Sequence, residues 1–339
     1  MIYRSKVPLR LGFGGGGTDL DVYCNKYKGF VLNATISLFI HCTIEETFDD
    51  KIVFESLDMD QYLEVDSKMN LISDGTMPLY VEIYNTIVDK YINRPLSFKL
   101  TTYSDAPNGS GLGGSSTLVV AIIKAFIEWL NIPLGEYDIA RLAIKIERDK
   151  LNMIGGSQDQ YAATFGGFNF MEFDKEHRVI VNPLRIKNWI KNEFEESLVL
   201  YFTGITRKSG QIEEEKKALI KSKNSLSAMH KVKESAVLMK ESLLKGNVQE
   251  FSKILSDSWM AKRQTSSMIS NREIDHVFSI AMRFGAYSGK VSGAGGGGFV
   301  FFIVDPRKKL QLKRELNKQK GEVYDFTFVN NGASSWSIK

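Results

Sequence analysis

At 339 residues the chain is too long for one ordinary small core and suits two packed domains of roughly 150 to 190 residues each. With 43% hydrophobic and 25% charged residues it is no disordered chain. Lys and Arg number 44 against 40 Asp and Glu, a net charge of +4, which gives no argument for a dedicated nucleic-acid binder and leaves room for a local basic pocket that takes an anionic small molecule.

In chain order, β-rich runs at 2–11, 30–44, 52–56 and 96–103 predict strands, with a helix at 79–91 among them. Leu118, Ala121, Ile122, Ala125 and Trp129 then recur at helical spacing, and Pro133 and Gly135 end that helix. A second helix is expected at 137–151, a short one at 157–165 and a strand at 167–173. The polar stretch 183–196 marks a boundary, giving expected domains 1–190 and 191–339. A strand at 198–203 opens the second, and a long charged helix follows at 213–244. Ser270-Asn271-Arg272-Glu273 reads as a capping box that starts a helix through residue 284. A buried strand at 298–304, a helix at 308–319 and a closing strand at 322–329 complete an α+β order.

Neither long apolar stretch reads as a membrane span. Lys124 and Glu128 interrupt 118–130, and 297–304 is too short. The opening residues lack the apolar run of a signal peptide. Cys24 and Cys42 are the only cysteines; they make no zinc pattern and fit a reducing compartment. A cytoplasmic protein is expected. His41, His177, His230 and His276 are scattered without metal-ligand spacing.

The chain holds 28 glycines and only 7 prolines, and the glycines bunch in three places. The middle bunch reads Pro107-Asn108-Gly109-Ser110-Gly111-Leu112-Gly113-Gly114-Ser115-Ser116 and runs straight into a helix. Small residues before a helix N-terminus present backbone N–H groups and a positive partial charge, which is a phosphate cradle; the plainer alternative is a flexible loop. It is not a Walker A loop, because no lysine lies in it. The dinucleotide pattern GxGxxG is met twice, at Gly12 and at Gly109, but the room after Gly17 is too short for the usual crossover helix, which counts against a dinucleotide oxidoreductase. In the first bunch, Gly15, Gly16 and Gly17 lead into Thr18 and Asp19, a pairing of exposed backbone with polar groups that suits a polyol or, alternatively, a turn with a helix cap. The third, Gly293 to Gly298 with Gly295 and Gly296 at its centre, precedes an apolar strand, so its backbone passes close to a ligand or to another chain segment.

In this order and spacing the three clusters resemble the motifs of the GHMP kinase superfamily, and PLRLGFGGGGTDL, GSGLGGSS and TGITRKSGQIEEE resemble its sugar-1-kinase branch. The family motif Pro-x-x-x-Gly-Leu-Gly-Ser-Ser-Ala is met with Gly114 for its first serine and Ser116 for its alanine. The resemblance implies an N-terminal ribosomal-protein-S5-like domain, a C-terminal ferredoxin-like domain, ATP against the 107–116 loop and an acceptor between the domains. It further implies ATP- and Mg²⁺-dependent phosphorylation of the 1-hydroxyl of D-glycero-D-manno-heptose 7-phosphate, feeding nucleotide-activated heptose for surface polysaccharide. Alternatives are a kinase of a neutral sugar such as fucose and a non-catalytic sugar-phosphate sensor. No nucleic-acid or membrane partner is implied, and the chain is expected as a monomer or homodimer.

The same resemblance assigns Mg²⁺ to Glu147 and the Ser115 hydroxyl, with Asp149 as the lesser carboxylate. Asp159 would accept the proton of the anomeric hydroxyl or only orient it. Arg10 stands where many relatives carry lysine and is expected to stabilise charge near the reacting groups. Arg207 and Lys208, with Lys290 behind them, are the candidates for the acceptor's own phosphate.

Overall fold

The apolar alternation of the first residues continues through Gly12 and Phe13 as one extended segment, so β1 spans Ile2–Gly14 and takes in half of the first glycine cluster. The computed structural model describes residues 1–206 and 223–339. Helix α1 (Asp21–Tyr27) turns the chain into the long β2 (Gly29–Glu46), and the hairpin β3 (Lys51–Ser56) and β4 (Gln61–Asp66) follows. Helix α2 (Pro78–Ile87) has proline in its first turn, where a missing N–H costs nothing, and leads to β5 (Phe98–Ser104). Then come α3 (Gly114–Leu130), α4 (Glu136–Ile144), α5 (Gln158–Phe165), β6 (Phe168–Phe173) and β7 (Val179–Pro183). The helix expected at 137–151 stops at Ile144 and widens into a π turn over Lys145–Lys150. Such turns often mark functional positions.

The chain continues through α6 (Asn188–Ser197), β8 (Leu198–Phe202), α7 (Lys223–Lys245), α8 (Val248–Arg263) and α9 (Arg272–Arg283). It ends with β9 (Ala286–Val291), β10 (Phe299–Val304), α10 (Pro306–Leu316), β11 (Glu322–Tyr324) and β12 (Ser334–Ile338). The first ten residues of the helix expected at 213–244 lie outside the described residues. The helix cap read at Ser270 sits one residue later: Asn271 Oδ1 accepts from Ile274 N, while the Ser270 hydroxyl donates to Asp275.

The larger sheet runs β12-β1-β2-β5-β3-β4, with β6 and β7 continuing from β2. β2 is long enough for two neighbours: residues 29–34 pair with β6 and 40–46 with β5. The smaller sheet runs β11-β8-β10-β9. Every residue of β10 is buried, which is why its sequence is continuously apolar rather than alternating.

One apolar core joins the two sheets, with Leu9 and Phe126 on one side and Phe251 and Phe301 on the other. Phe13 sits at the joint, meeting Phe251, Phe301 and Phe328 edge to face. Beyond β11 the chain returns to the first sheet. The strand expected at 322–329 stops at Tyr324, Phe328 bridges Ile36, and β12 pairs with β1 in the first sheet. Burial of Phe328 against Phe13 and Phe168 draws the tail back across the joint. Both cysteines are free and buried, and burial pushes the Cys24 thiol up to about 12. Among the described residues no helix is long and apolar enough to cross a membrane.

Candidate active site

β1, the loop before α3, the π turn after α4 and the start of α5 converge on one cleft of about 590 Å³. Its first wall is the 107–116 loop. Gly109, Gly111 and Gly113 have φ of +69°, +81° and +81°, a region that glycine enters without steric cost. Gly113 is also the N-cap of α3 and supplies no side-chain cap, so the first N–H groups of that helix are available to an anion.

The third glycine cluster packs on this loop backbone to backbone. A Cβ on Gly111 would lie 2.6 Å from the Ser292 carbonyl, and one on Gly293 would lie 2.6 Å from that of Gly111. Phe299 N donates to the Ser110 carbonyl at 2.8 Å. Gly293, Gly295 and Gly297 still line the cleft. Gly296 does not; its carbonyl accepts from Asn271 Nδ2 and its N–H donates to the Ile269 carbonyl.

Glu147 lies on the π turn and is 1% exposed, whereas Asp149 is exposed outside the cleft. Glu147 Oε1 accepts from the Ser115 hydroxyl at 3.3 Å and from the Ser116 hydroxyl at 3.1 Å. Its Oε2 accepts from Gln160 Nε2. Burial pushes this carboxyl above the ordinary carboxylate range, against the pull of Arg148, whose Nη1 stands 4.0 Å away, and of the Gln160 and Ser116 donors.

Asp159 faces the other way. Arg10 Nε and Nη2 both reach its Oδ1, at 2.8 and 2.7 Å. The same guanidinium donates to the Gly111 carbonyl at 2.7 Å, which fastens β1, the 107–116 loop and α5 together. Gly113 is small enough to admit the Asp159 carboxylate, for a Cβ there would lie 3.3 Å from Oδ2.

Asp19 is buried. Its Oδ1 accepts from Gly17 N at 3.0 Å and its Oδ2 from Gln158 N at 3.1 Å, so it caps the start of α5 from the first glycine cluster. Gly156 must be glycine, since a Cβ there would come within 1.9 Å of Asp19 Oδ2. Arg148 braces this loop through the carbonyls of Met153 and Gly156.

Of the residues singled out from the sequence, Arg10, Gly16, Gly17, Asp19, Gly109, Ser110, Gly111, Gly113 to Ser116, Glu147, Asp159 and Gly295 share this cleft. Pro107 lines a smaller recess beside it, together with Leu9, Ile40 and Tyr103, and with Asp58 and Thr102 among its polar members. Leu112 is core, and only its carbonyl serves the site, accepting from Arg10 N. Gly15 backs onto Phe30, where a Cβ would lie 1.7 Å from the carbonyl oxygen, and Thr18 exchanges two hydrogen bonds with the Phe30 backbone. Those two shape the cleft from behind. Lys290, expected behind the anion site, is instead a buried tie that donates to the carbonyls of Gly12 and Phe13 at 2.6 and 2.9 Å. Arg207 and Lys208 lie outside the described residues. Sequence reasoning missed Arg148, Gln158, Gln160 and Ser292. The two glutamines flank Asp159 in the first turn of α5, and that adjacency is the signal that could have found them.

Residues 79–167 match the family described as GHMP kinases N terminal domain, and residues 239–322 the one described as GHMP kinases C terminal. Over 335 residues, 99% of each chain, the sequence is 56% identical to the D-glycero-alpha-D-manno-heptose 7-phosphate kinase of Campylobacter jejuni. The crystal structure of a D-glycero-D-manno-heptose 1-phosphate kinase from Bacteroides thetaiotaomicron superposes with a TM-score of 0.87 at 46% identity, covering 99% of each chain. The bifunctional fucokinase/GDP-fucose pyrophosphorylase of Arabidopsis thaliana is 27% identical over 99% of this chain and 32% of that one. The chain belongs to the GHMP kinase family and has its two-domain α+β fold; it is a phosphotransferase of that family.

Proposed function

We propose that the chain transfers the γ-phosphoryl group of ATP to the anomeric 1-hydroxyl of D-glycero-D-manno-heptose 7-phosphate, giving the 1,7-bisphosphate used to make nucleotide-activated heptose for surface polysaccharide. One observation carries this reading: the Glu147–Ser115 pair and the Arg10–Asp159 pair approach the same helix N-terminus from two sides of one cleft. Identity to a heptose 7-phosphate kinase along 99% of both chains supports the choice of acceptor.

The donor set fits Mg²⁺. A buried carboxylate and an adjacent hydroxyl are hard oxygen ligands, and among the described residues no cluster of three acids or histidines makes an all-protein cage. Glu147 and Ser115 would hold the ion, which when bound neutralises charge on the β- and γ-phosphate oxygens. The N–H groups of the 109–116 loop and of the α3 N-terminus hold the phosphates.

Asp19 and Gln158 hydrogen-bond the acceptor's hydroxyls, and Gly16 and Gly17 let it approach the backbone. Arg10 occupies Asp159 Oδ1 and leaves Oδ2 for the attacking hydroxyl. The 1-oxygen bonds to the γ-phosphorus as the bond to the bridging oxygen breaks. ADP leaves, and the hydroxyl proton passes to Asp159. Arg207 and Lys208 follow Thr206, which lines the cleft, and we assign the acceptor's 7-phosphate to them.

The test is ADP release with Mg²⁺-ATP over heptose 7-phosphate, free heptose, fucose, mannose and mevalonate. Turnover confined to the 7-phosphate is the expected result. Equal turnover of free heptose would sink the acceptor assignment, and ATP binding without turnover of any sugar would sink the kinase reading. Arg207→Ala should raise KM for the 7-phosphate and spare that for a neutral sugar.

A further inference from the structure

Gln160 sits beside Asp159 in the first turn of α5, but its side chain points to the other half of the site. It is fully buried, and its Nε2 donates both to Glu147 Oε2 and to the Ser116 hydroxyl, the latter at 3.0 Å. Its own Oε1 is buried with no hydrogen-bond partner among the described residues. An amide is free to turn end for end about its last torsion. Turning here would press the carbonyl oxygen against the Glu147 carboxylate, so the anion fixes the orientation although an acceptor is left unpaired. The backbone is held as well, for the Gln160 carbonyl accepts from the Thr164 hydroxyl at 2.7 Å.

The two oxygens of Glu147 are thus served differently. Oε1 has the hydroxyls of Ser115 and Ser116, whereas the side-chain donor reaching Oε2 is Gln160. Consecutive helical residues point about 100° apart, which lets one turn of α5 present Asp159 to Arg10 and Gln160 to Glu147. We infer that Gln160 is a positioning residue: it pins the Glu147 carboxylate and the Ser116 hydroxyl in one arrangement and thereby sets the affinity of this side of the cleft for a divalent cation. This rests on the reading of Glu147 as a metal ligand.

The experiment measures Mn²⁺ binding to the full chain with a non-hydrolysable ATP analogue present, by the electron paramagnetic resonance signal of free Mn²⁺. Gln160→Leu should weaken Mn²⁺ binding roughly 10- to 100-fold, the usual loss when a partner that orients a metal ligand is removed. The melting temperature identifies a variant that fails to fold; Gln160→Met, unbranched and of similar length, then takes its place. In a Glu147→Gln background the Gln160 substitution should have no further effect, because its action passes through Glu147. Wild-type Mn²⁺ affinity in a folded Gln160 variant, or an additive loss in the double variant, overturns the inference. If Glu147→Gln alone binds Mn²⁺ like the wild type, the reading of Glu147 fails and takes the inference with it. If Glu147→Gln loses the metal and the Gln160 variants keep it, only the inference fails.

Discussion

The two carboxylates of the cleft stand in opposite environments. Glu147 is buried among hydroxyls and an amide, with the Arg148 guanidinium at 4.0 Å. Asp159 keeps 24% of its side chain exposed and has the Arg10 guanidinium at 2.7 Å. A charge already balanced by arginine has little to gain from a second cation and can offer its remaining oxygen to a hydroxyl. A buried charge hydrogen-bonded by neutral donors, with its arginine only at 4.0 Å, gains more from an added cation, and burial strengthens that pull. On the proposed reading, the difference divides the labour of phosphoryl transfer between two acids of similar intrinsic chemistry.

The comparison breaks most visibly at Glu147. Glu147→Gln keeps the shape and removes the charge, and kcat should fall by about a thousandfold or more with the acceptor KM little changed, read by steady-state kinetics. Asp159→Asn should lower kcat by about a hundredfold or more while Mn²⁺ binding stays intact, which separates the two sides in one pair of measurements. Arg10→Lys replaces a fork by a point charge and should cost about tenfold in kcat/KM, since a single nitrogen lacks the spread with which the guanidinium reaches both Asp159 and the Gly111 carbonyl. Smaller again is Gly293→Ala. At φ +73°, with its Cβ 2.6 Å from the Gly111 carbonyl, it should lose about 2 kcal/mol in thermal melting and raise KM for ATP. Asn271→Ala removes the cap of α9 together with the tie to the Gly296 carbonyl, and should cost about 1 kcal/mol or somewhat more in thermal melting, with an effect on kcat smaller than that of any cleft variant.

Two glycine loops show how far composition carries. Gly109 to Gly114 and Gly293 to Gly298 look alike as sequence. The first lines the cleft and runs into a helix N-terminus, while much of the second is taken up by backbone packing against the first. Spacing announces that backbone must come close to something in both places and does not say to what.

Local sequence determined a good deal by itself. Periodicity placed most strands and helices, because side-chain burial repeats every two or every 3.6 residues wherever one face meets a core. Glycine spacing marked the loops, because only glycine enters the left-handed region without cost. The pairing of Arg10 with Asp159, the turning of Gln160 onto Glu147, the structural use of Lys290 and the return of β12 to β1 were decided by the tertiary structure. Each of these joins residues tens to hundreds of positions apart or chooses between two faces of one helical turn. Such choices depend on which partner is buried alongside, and that is a property of the packed core rather than of any local run of residues.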